Sequence, residues 1–395
     1  MRSTITQQDA APVDNSADAK FLRSKRISVI VGGALDERQR REVAEGKRPR
    51  IDVLEMESRF GAQVYDFFRL RREAETDRKA RFALGLARKT RLWSPLLAYH
   101  ALLSVKSDDV VYATGEDVGY PLAMLMRARR VDKPGLVVRL DQPMLGRTIS
   151  RRLFSDLYVH HALKRIDKVG CHSNVQAQYL SSVVGVPEAA LGLLPPKVDT
   201  RFFSPERAEP SPAPDSVPEE PYILSAGLEM RDYTTLIESV RGLSVPLVIG
   251  ASSPWSHFRF NYDRRLPPNV HVASFTPVQM RELYRSARFV VVPIKPTLRT
   301  CGITVVLEAW AMEKGVIVSR TIGQLDYVED SETVLFAKPG DVEEMRTKIV
   351  YLLENPEEAE RLGRNGRKRV ETELNLDRFM KAVRELLASA VHGRA

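Results

Sequence analysis

The chain has 395 residues, of which 43% are hydrophobic and 28% are charged, and its formal net charge is +9. This length predicts two domains, and the composition is that of a globular protein without the run of about 18 apolar residues that a membrane span needs. The positive charge favours an anionic partner, which leaves nucleotide phosphates, an acidic membrane surface and nucleic acid open.

A polar segment, 1–24, precedes the first apolar run and lacks the hydrophobic core of a signal peptide. We expect a disordered leader here and a cytoplasmic protein. The run 27–31 then predicts a buried strand that ends in a tight loop at Gly32 and Gly33. These two glycines are candidates for contact with a ligand, although many first turns after a strand need glycine.

Short apolar runs separated by helix-length segments predict a parallel sheet covered on both faces. The runs are 110–113, 136–140, 169–171, 222–226, 246–250, 270–272, 289–293, 316–319 and 334–336. Helix patterns follow at 341–353, 356–372 and 376–389, and Thr276 before Pro277 predicts a helix start.

Six prolines between positions 205 and 221 cannot continue a helix or a central strand. We therefore expect a linker at 205–221 between an N-terminal α/β domain, 25–204, and a C-terminal one, 222–375. The segment 376–395 is expected to form a helix that crosses back to the N-terminal domain.

Charged residues follow two strands of the first half, where the carboxyl ends of parallel strands meet at one edge. Glu116 and Asp117 are candidates for contact with a ligand, although adjacent acids in a loop are often only solvated. Asp141, two residues after Arg139, would accept a hydrogen bond from a ligand hydroxyl, or it caps the next helix.

The stretch 298–341 carries the strongest functional signal. A turn of small residues leads into an apolar helix with a single acid, Glu308, and a strand and a loop with Gly323 and Gln324 follow. Amides at a helix N-terminus bind phosphate through direct contacts and the helix dipole. The turn consists of Thr300, Cys301, Gly302, Ile303 and Thr304. This order predicts a nucleotide-linked ligand.

Three cations are candidates for the phosphate or sugar of that ligand. Arg231 follows the run 222–226, Lys295 follows 289–293, and Arg299 precedes the small-residue turn. A guanidinium can satisfy two phosphate oxygens at once, whereas the alternative for each residue is a solvated loop cation.

Two cysteines cannot form a disulfide framework or a four-cysteine zinc site. His160 and His161 are the only adjacent histidines, and successive residues of a helix do not share a face. We expect no metal and no cofactor.

Several segments taken together resemble the retaining glycosyltransferases of family 4, which have the GT-B fold. These segments are Cys171–Leu180, Leu194–Pro205, Asp326–Asp341, Leu352–Gly363 and Arg367–Glu371. The resemblance is close over roughly 165–375 and weak over 25–165. It implies two Rossmann-like, doubly wound domains that face each other across a cleft, with the nucleotide sugar on the C-terminal domain and the acceptor on the N-terminal one.

The resemblance also implies roles for single residues. Glu308 occupies the second glutamate of the family's E-x7-E motif, which binds the donor ribose, whereas Thr300 stands at the first glutamate. Arg231 falls on the lysine of a pair of cations that neutralise the diphosphate leaving group, and Asp141 stands where a histidine often lies near the reaction centre. Gly323 and Gln324 resemble the loop that faces the donor.

The implied activity is metal-independent transfer, with retention, from a UDP- or GDP-sugar to an unknown hydroxyl acceptor such as a glycan, lipid or small metabolite. The departures from the family pattern keep open a non-catalytic GT-B-like protein that binds a nucleotide or glycan. The basic segment 69–93 could contact the inner face of a membrane, or form a solvated face over the core. We expect no nucleic-acid partner, because no aromatic-basic stacking platform is visible.

Overall fold

The described residues of the computed structural model form two parallel sheets flanked by helices. These residues are 22, 24–33, 35–106, 109–129, 134–141, 157–207, 217–251, 260, 262–297 and 300–392. Every pair of neighbouring strands runs parallel, which confirms the predicted α/β architecture.

The first sheet, as far as the structure describes it, has six strands in the order β2-β1-β3-β4-β5-β6. They are β1 (Ile27–Ile30), β2 (Gln63–Tyr65), β3 (Val110–Ala113), β4 (Gly135–Leu140), β5 (Lys168–Cys171) and β6 (Leu191–Leu193). The helices around it are α1 (Glu37–Ala44), α2 (Asp52–Phe60), α3 (Phe67–Glu73), α4 (Arg78–Thr90), α5 (Trp93–Leu102), α6 (Glu116–Arg129) and α7 (Asn174–Tyr179), and residues 157–163 are also helical. All residues of β1 and β3 are buried, as expected where helices cover both faces of a sheet.

The second sheet has six described strands in the order β12-β11-β10-β7-β8-β9. They are β7 (Ile223–Ala226), β8 (Leu247–Gly250), β9 (Val270–Ala273), β10 (Phe289–Val292), β11 (Val316–Ser319) and β12 (Leu335–Ala337). Its helices are α8 (Tyr233–Ser239), α9 (Pro277–Ser286), α10 (Ile303–Ala311), α11 (Val342–Glu354) and α12 (Pro356–Thr372), and a short 3₁₀ turn, Ile322–Gln324, follows β11. The winding direction reverses between β7 and β10, and between β1 and β3 in the first sheet, which is where open α/β sheets bind ligands.

The last helix, α13 (Leu376–His392), lies on the first sheet although it follows the second in the chain. Its apolar face, with Phe379, Val383 and Leu387, shares one core with β1 and β3. Where the chain crosses between the two halves, Val198 and Asn375 form a parallel bridge. A helix therefore occupies Leu376–His392 of the segment expected at 376–395, and it packs on the first sheet.

Buried residues lie outside the expected domain bounds at two places. Leu22, expected in a disordered leader at 1–24, is buried in the core of the first domain. Phe202 and Phe203, expected at the end of the first domain, are buried in the core of the second, where Phe203 packs edge-on against Tyr284. Large aromatic rings bury much apolar surface when they pack in a core. Because these two rings pack in the core of the second domain, that domain includes residues before the proline-rich segment.

The basic segment 69–93 is divided among α3, α4 and the start of α5, so it is not one amphipathic helix. The apolar face of α4 is buried in the first domain and is therefore not available to a membrane. That face consists of Ala80, Ala83, Leu84 and Ala87. Phe82 and Leu92 remain 63% and 56% exposed. Among the described helices, none combines the length and the hydropathy needed to cross a membrane.

Candidate functional site

Arg231 lies just beyond β7 in a tight loop at the point where the second sheet changes winding direction. Its Nε donates to the carbonyl of Ala226 at 2.8 Å and its Nη1 to that of Glu229 at 2.9 Å. Burial lowers the pKa of Arg231, although an arginine stays cationic in proteins. The two backbone bonds fix the guanidinium while leaving Nη2 for an anion.

Gly227 makes room for this arginine. Its φ is +87°, a left-handed conformation that side chains rarely adopt, and a Cβ there would lie 2.7 Å from Nη2 of Arg231. The loop is also drawn toward β10, because the amide of Lys295 donates to the carbonyl of Met230 at 2.9 Å. This bond brings the backbone of Lys295 next to the loop of Arg231 at the same sheet edge. The side chain of Lys295 is exposed.

The predicted phosphate turn leads directly into α10. Gly302 is the N-terminal cap with φ +83°, and the first intrahelical bonds run from the amides of Val305 and Val306 to its carbonyl, at 3.1 and 3.2 Å. The preceding amides, of Ile303 and Thr304, therefore stand at the open end of the helix, where an anion is favoured. Thr304 is exposed and Ile303 is buried.

The backbone of this turn is closely packed against the domain. A Cβ on Gly302 would lie 2.7 Å from a carbon of Ile294 and 2.9 Å from one of Val292, so the glycine is required by the protein's own packing. Cys301 is buried, Thr300 is partly buried, and Arg299 lies outside the described residues.

Glu308 stands one and a half turns into α10 among apolar neighbours and is partly buried. Its Oε2 accepts a hydrogen bond from the hydroxyl of Tyr284 at 2.8 Å. Burial raises the pKa of Glu308 to about 7, while the Tyr284 hydroxyl and the charge of Arg231 act in the opposite direction. Glu308 and Arg231 are thus close enough to influence each other's charge.

In the loop after β11, Gly323 and Gln324 are buried, whereas the resemblance implied that this loop faces the donor. Gln324 is fully buried, and its side-chain amide donates to the carbonyl of Cys301 instead of facing the cleft. Gly323 is buried as well. Gln324 therefore supports the turn at Cys301 from within the domain, because its side-chain amide is already used there.

The acceptor-side candidates lie together at the carboxyl edge of the first sheet. Asp117 packs over Gly32, where a Cβ would overlap its carboxylate, and accepts a hydrogen bond from the Ser94 hydroxyl at 3.0 Å. Gly33 adjoins this contact and accepts from the amide of Phe67. The side chain of Asp117 is thus held within the edge formed by the loops after β1 and β3.

Glu116 and Asp141 are joined by a hydrogen bond from the Asp141 amide to Oε2 of Glu116 at 3.0 Å. Burial raises the pKa of Glu116 to about 7, and the charges of Asp141 and Asp117 add to this effect. Adjacent carboxylates at one edge thus favour the protonated form of Glu116 near neutral pH.

Asp141 is half-exposed, and its carboxylate contacts His172 and Arg139. Its Oδ1 lies 2.8 Å from Nε2 of His172 and 3.2 Å from Nε of Arg139. Burial raises the pKa of Asp141, but Arg139 and His172 outweigh it and hold the pKa below its ordinary value. Arg139 in turn pairs with Asp52 at 3.1 Å, and Lys197 reaches the same Asp52 oxygen at 2.8 Å.

The ring of His172 faces an oxygen acceptor on each side. Nδ1 lies 3.1 Å from the carbonyl of Leu194, and Nε2 faces Asp141. A carbonyl and a carboxylate only accept hydrogen bonds, so the two contacts fix the ring between Leu194 and Asp141.

Two contacts join the halves of the site. The hydroxyl of Tyr327, after the 3₁₀ turn, donates to the backbone carbonyl of His172, and the amide of Asn174 donates to the carboxylate of Asp326. The residues that follow β5 therefore contact the loop after β11, which links the two sheet edges that carry the candidates.

The sequence analysis did not identify His172, Tyr284 or Tyr327 as members of the site. His172 and Tyr327 lie within segments that carry the family resemblance, whereas Tyr284 had no signal beyond an aromatic on a helix. The described part of the chain contains no group of three or more His, Cys, Asp or Glu side chains placed to hold a metal ion.

The second domain matches a known family over residues 235–369, the family described as glycosyl transferases group 1. Over 80 residues the chain is also 36% identical to the capsular polysaccharide biosynthesis glycosyltransferase CapM of Staphylococcus aureus. That alignment covers 20% of this chain and 21% of CapM, so the chain spans about one-fifth of the length of this relative.

Solved structures are similar over nearly the whole chain. HepE of Anabaena, in complex with UDP-glucose, has a TM-score of 0.65 and 13% identity, with 92% of this chain and 99% of that chain covered. The α,α-trehalose 6-phosphate synthase of Burkholderia multivorans has a TM-score of 0.67 and 11% identity, with 94% and 100% covered. Together with the two parallel-sheet domains, these matches confirm the predicted GT-B fold, within which residues 235–369 match the glycosyl transferases group 1 family.

Proposed function

We propose that the chain is a retaining glycosyltransferase of family 4 that uses a UDP- or GDP-sugar. The observation that carries this proposal is the meeting of Arg231, the open N-terminus of α10 and Glu308 at the winding reversal between β7 and β10. One site thereby offers a cation, unpaired helix amides and a carboxylate, which match the diphosphate and the ribose diol of a nucleotide sugar.

In the proposed reaction the donor diphosphate lies between Arg231 and the amides of Ile303 and Thr304. As the glycosidic bond breaks, negative charge grows on the leaving diphosphate, and a fixed guanidinium stabilises it without reorganisation. The departing oxygen accepts the proton of the acceptor hydroxyl, and the new bond forms on the face that the diphosphate leaves. The configuration at the anomeric carbon is then retained.

The acceptor side of the proposal rests on the edge of the first sheet. Asp141 is held by Arg139 and His172 and would accept a hydrogen bond from a sugar or acceptor hydroxyl. Glu116 and Asp117 surround it and would contribute further acceptors. The hydroxyl acceptor itself stays unassigned.

We propose a cytoplasmic enzyme that contacts the inner face of the membrane through exposed side chains near this edge. Ser94, which holds Asp117, follows Leu92 by two residues, so the exposed Leu92 lies close to the acceptor edge. Phe82 is the other exposed apolar residue of the segment 69–93, and α4 carries basic residues on either side of it in sequence. Apolar side chains among cations favour an anionic lipid surface.

The test is transfer or hydrolysis of labelled sugar from a panel of UDP- and GDP-sugars. We expect turnover with at least one donor, a loss of about 100-fold or more in Glu308→Ala, and no loss in Glu385→Ala, an exposed helix glutamate that serves as the control. A fully active Glu308→Ala variant would contradict the assignment of the ribose site.

Thr300 favours a second candidate, a GT-B-like protein that binds a nucleotide or glycan without turnover. The resemblance places a glutamate that handles the donor sugar at this position, and a threonine cannot supply that charge. Micromolar nucleotide binding without transfer or hydrolysis on any donor would support this candidate over the first.

A further inference from the structure

Tyr284 has no access to a ligand, yet it touches the carboxylate that we expect to bind the nucleotide ribose. The tyrosine is fully buried on α9, whereas Glu308 is only partly buried. Its hydroxyl donates to Oε2 of Glu308 at 2.8 Å across 24 positions of sequence. The tyrosine can therefore act on a nucleotide only through the glutamate.

The ring of Tyr284 is held firmly. Phe203 packs edge-on against it, with ring centroids 6.0 Å apart and an interplanar angle of 84°. The start of α9 is fixed by a capping box in which Thr276 and Gln279 satisfy each other's backbone amides. Burial raises the pKa of Tyr284 well above its ordinary value, so the hydroxyl stays a donor at every working pH.

We infer that Tyr284 is a positioning residue of the donor site, which holds Oε2 of Glu308 so that Oε1 faces the ribose diol of the nucleotide. This inference rests on the proposed function, because it requires that Glu308 binds a ribose. A carboxylate held at one oxygen loses rotational freedom before the ligand arrives, and pre-organisation of this kind strengthens binding.

The same hydrogen bond affects the charge of Glu308. The groups that act on this carboxyl are the Tyr284 hydroxyl on α9 and the Arg231 guanidinium after β7, and both lower its pKa against the effect of burial. Without the hydroxyl, the pKa of Glu308 rises above about 7, and the carboxyl becomes mostly protonated at neutral pH. A protonated carboxyl offers the diol fewer acceptor sites.

Tyr284→Phe removes only the hydroxyl and keeps the packed ring. Tyr222→Phe is a matched control, because Tyr222 is also buried and donates to a backbone carbonyl of α9, that of Leu283, at 3.0 Å. Both variants lose one buried hydrogen bond in the same domain, but only the first loses it at Glu308.

The experiment measures Kd by calorimetry between pH 6 and pH 9 for wild type and both variants. UDP, GDP and ADP are tested with wild type, and the tightest binder serves as the probe. For a rise of one unit in the pKa of Glu308, we expect the lost charge to make Tyr284→Phe bind about fivefold more weakly at pH 7. At pH 9 this part disappears, and only the smaller weakening from the lost positioning of the carboxylate remains. Tyr222→Phe should bind like wild type throughout.

A Tyr284→Phe variant that binds like wild type at every pH, or a Tyr222→Phe control that weakens binding equally, would overturn the inference and leave the proposed function standing. A wild-type protein that binds none of the three nucleotides would overturn the proposed function, and the inference with it. The two failures are therefore distinguishable.

Discussion

Replacing Gly227 by alanine changes the donor side of the site without removing any side chain expected to contact the donor. The new methyl group would lie 2.7 Å from Nη2 of Arg231 and 3.2 Å from its Cζ. Arg231 cannot turn aside without giving up its bonds to the carbonyls of Ala226 and Glu229. The guanidinium must therefore shift, or the loop must open.

Two separate costs follow from this geometry. The left-handed φ of +87° costs an alanine about 1 kcal/mol of folding free energy relative to glycine. Displacement of the guanidinium by an ångström or less adds a loss of up to about 100-fold in kcat/KM, since catalysis depends on the position of charge near the leaving group. Stability and activity should thus fall by different mechanisms.

Gly242→Ala separates the two costs. Gly242 has φ +77° in the same domain, and a Cβ there would have no neighbour within 4 Å among the described atoms. Both variants should lose about 1 kcal/mol in chemical denaturation, while only Gly227→Ala should lose nucleotide affinity and turnover. Calorimetry with UDP or GDP and the donor-panel assay measure these quantities.

Unchanged nucleotide binding in Gly227→Ala, with the expected loss of stability, would show that Arg231 does not bind the diphosphate. Equal loss of binding in both variants would show that backbone strain, rather than the arginine, is responsible. Either result refutes the reasoning.

Other substitutions test the remaining parts of the site. Asp141→Asn should lower kcat about 10- to 100-fold with little change in the donor KM, and steady-state kinetics with a saturating acceptor would show whether the donor KM instead carries the effect. Glu308→Gln should stabilise the unliganded protein as pH rises. The pKa of Glu308 is raised from 4.5 to about 7, so burial of its charge costs no folding free energy below pH 4.5 and up to about 3 kcal/mol above pH 7. If urea denaturation gives the same difference in stability between Glu308→Gln and wild type at pH 5 and at pH 8, this reasoning is contradicted. Phe82→Ser with Leu92→Ser should reduce sedimentation with anionic vesicles, whereas Val183→Ser, at a residue 67% exposed, should not.

The sequence predicts the strands that are buried on both faces, because such strands consist mainly of apolar residues. The runs at β3 and β11 match the structure residue for residue, because every position of both strands is buried. The sequence does not predict β2 and β6, which are three residues long and lie at the edges of their sheet. In β6 every residue keeps some exposure, so no apolar run marks it.

Local sequence also predicts the parts of the site that depend on local backbone. A glycine before an apolar helix with one acid was enough to place Gly302 and Glu308, and the structure has them at the cap and inside α10. Tyr284 and His172 could not be found this way. They reach Glu308 and Asp141 across 24 and 31 positions, and only the packing of helices and neighbouring strands brings them together.

The loop after β11 connects features that the sequence treats separately. Gln324 holds the carbonyl of Cys301 in the phosphate turn, and Tyr327 holds the carbonyl of His172, whose ring contacts Asp141. The Tyr327 amide donates to the carbonyl of Gln324 at 2.8 Å, so both anchors belong to one short hydrogen-bonded segment. Gln324, predicted to face the donor, thus holds the backbone of the turn at Cys301 instead. A buried amide fixes backbone more firmly than an exposed one could, because water does not compete for its hydrogen bond.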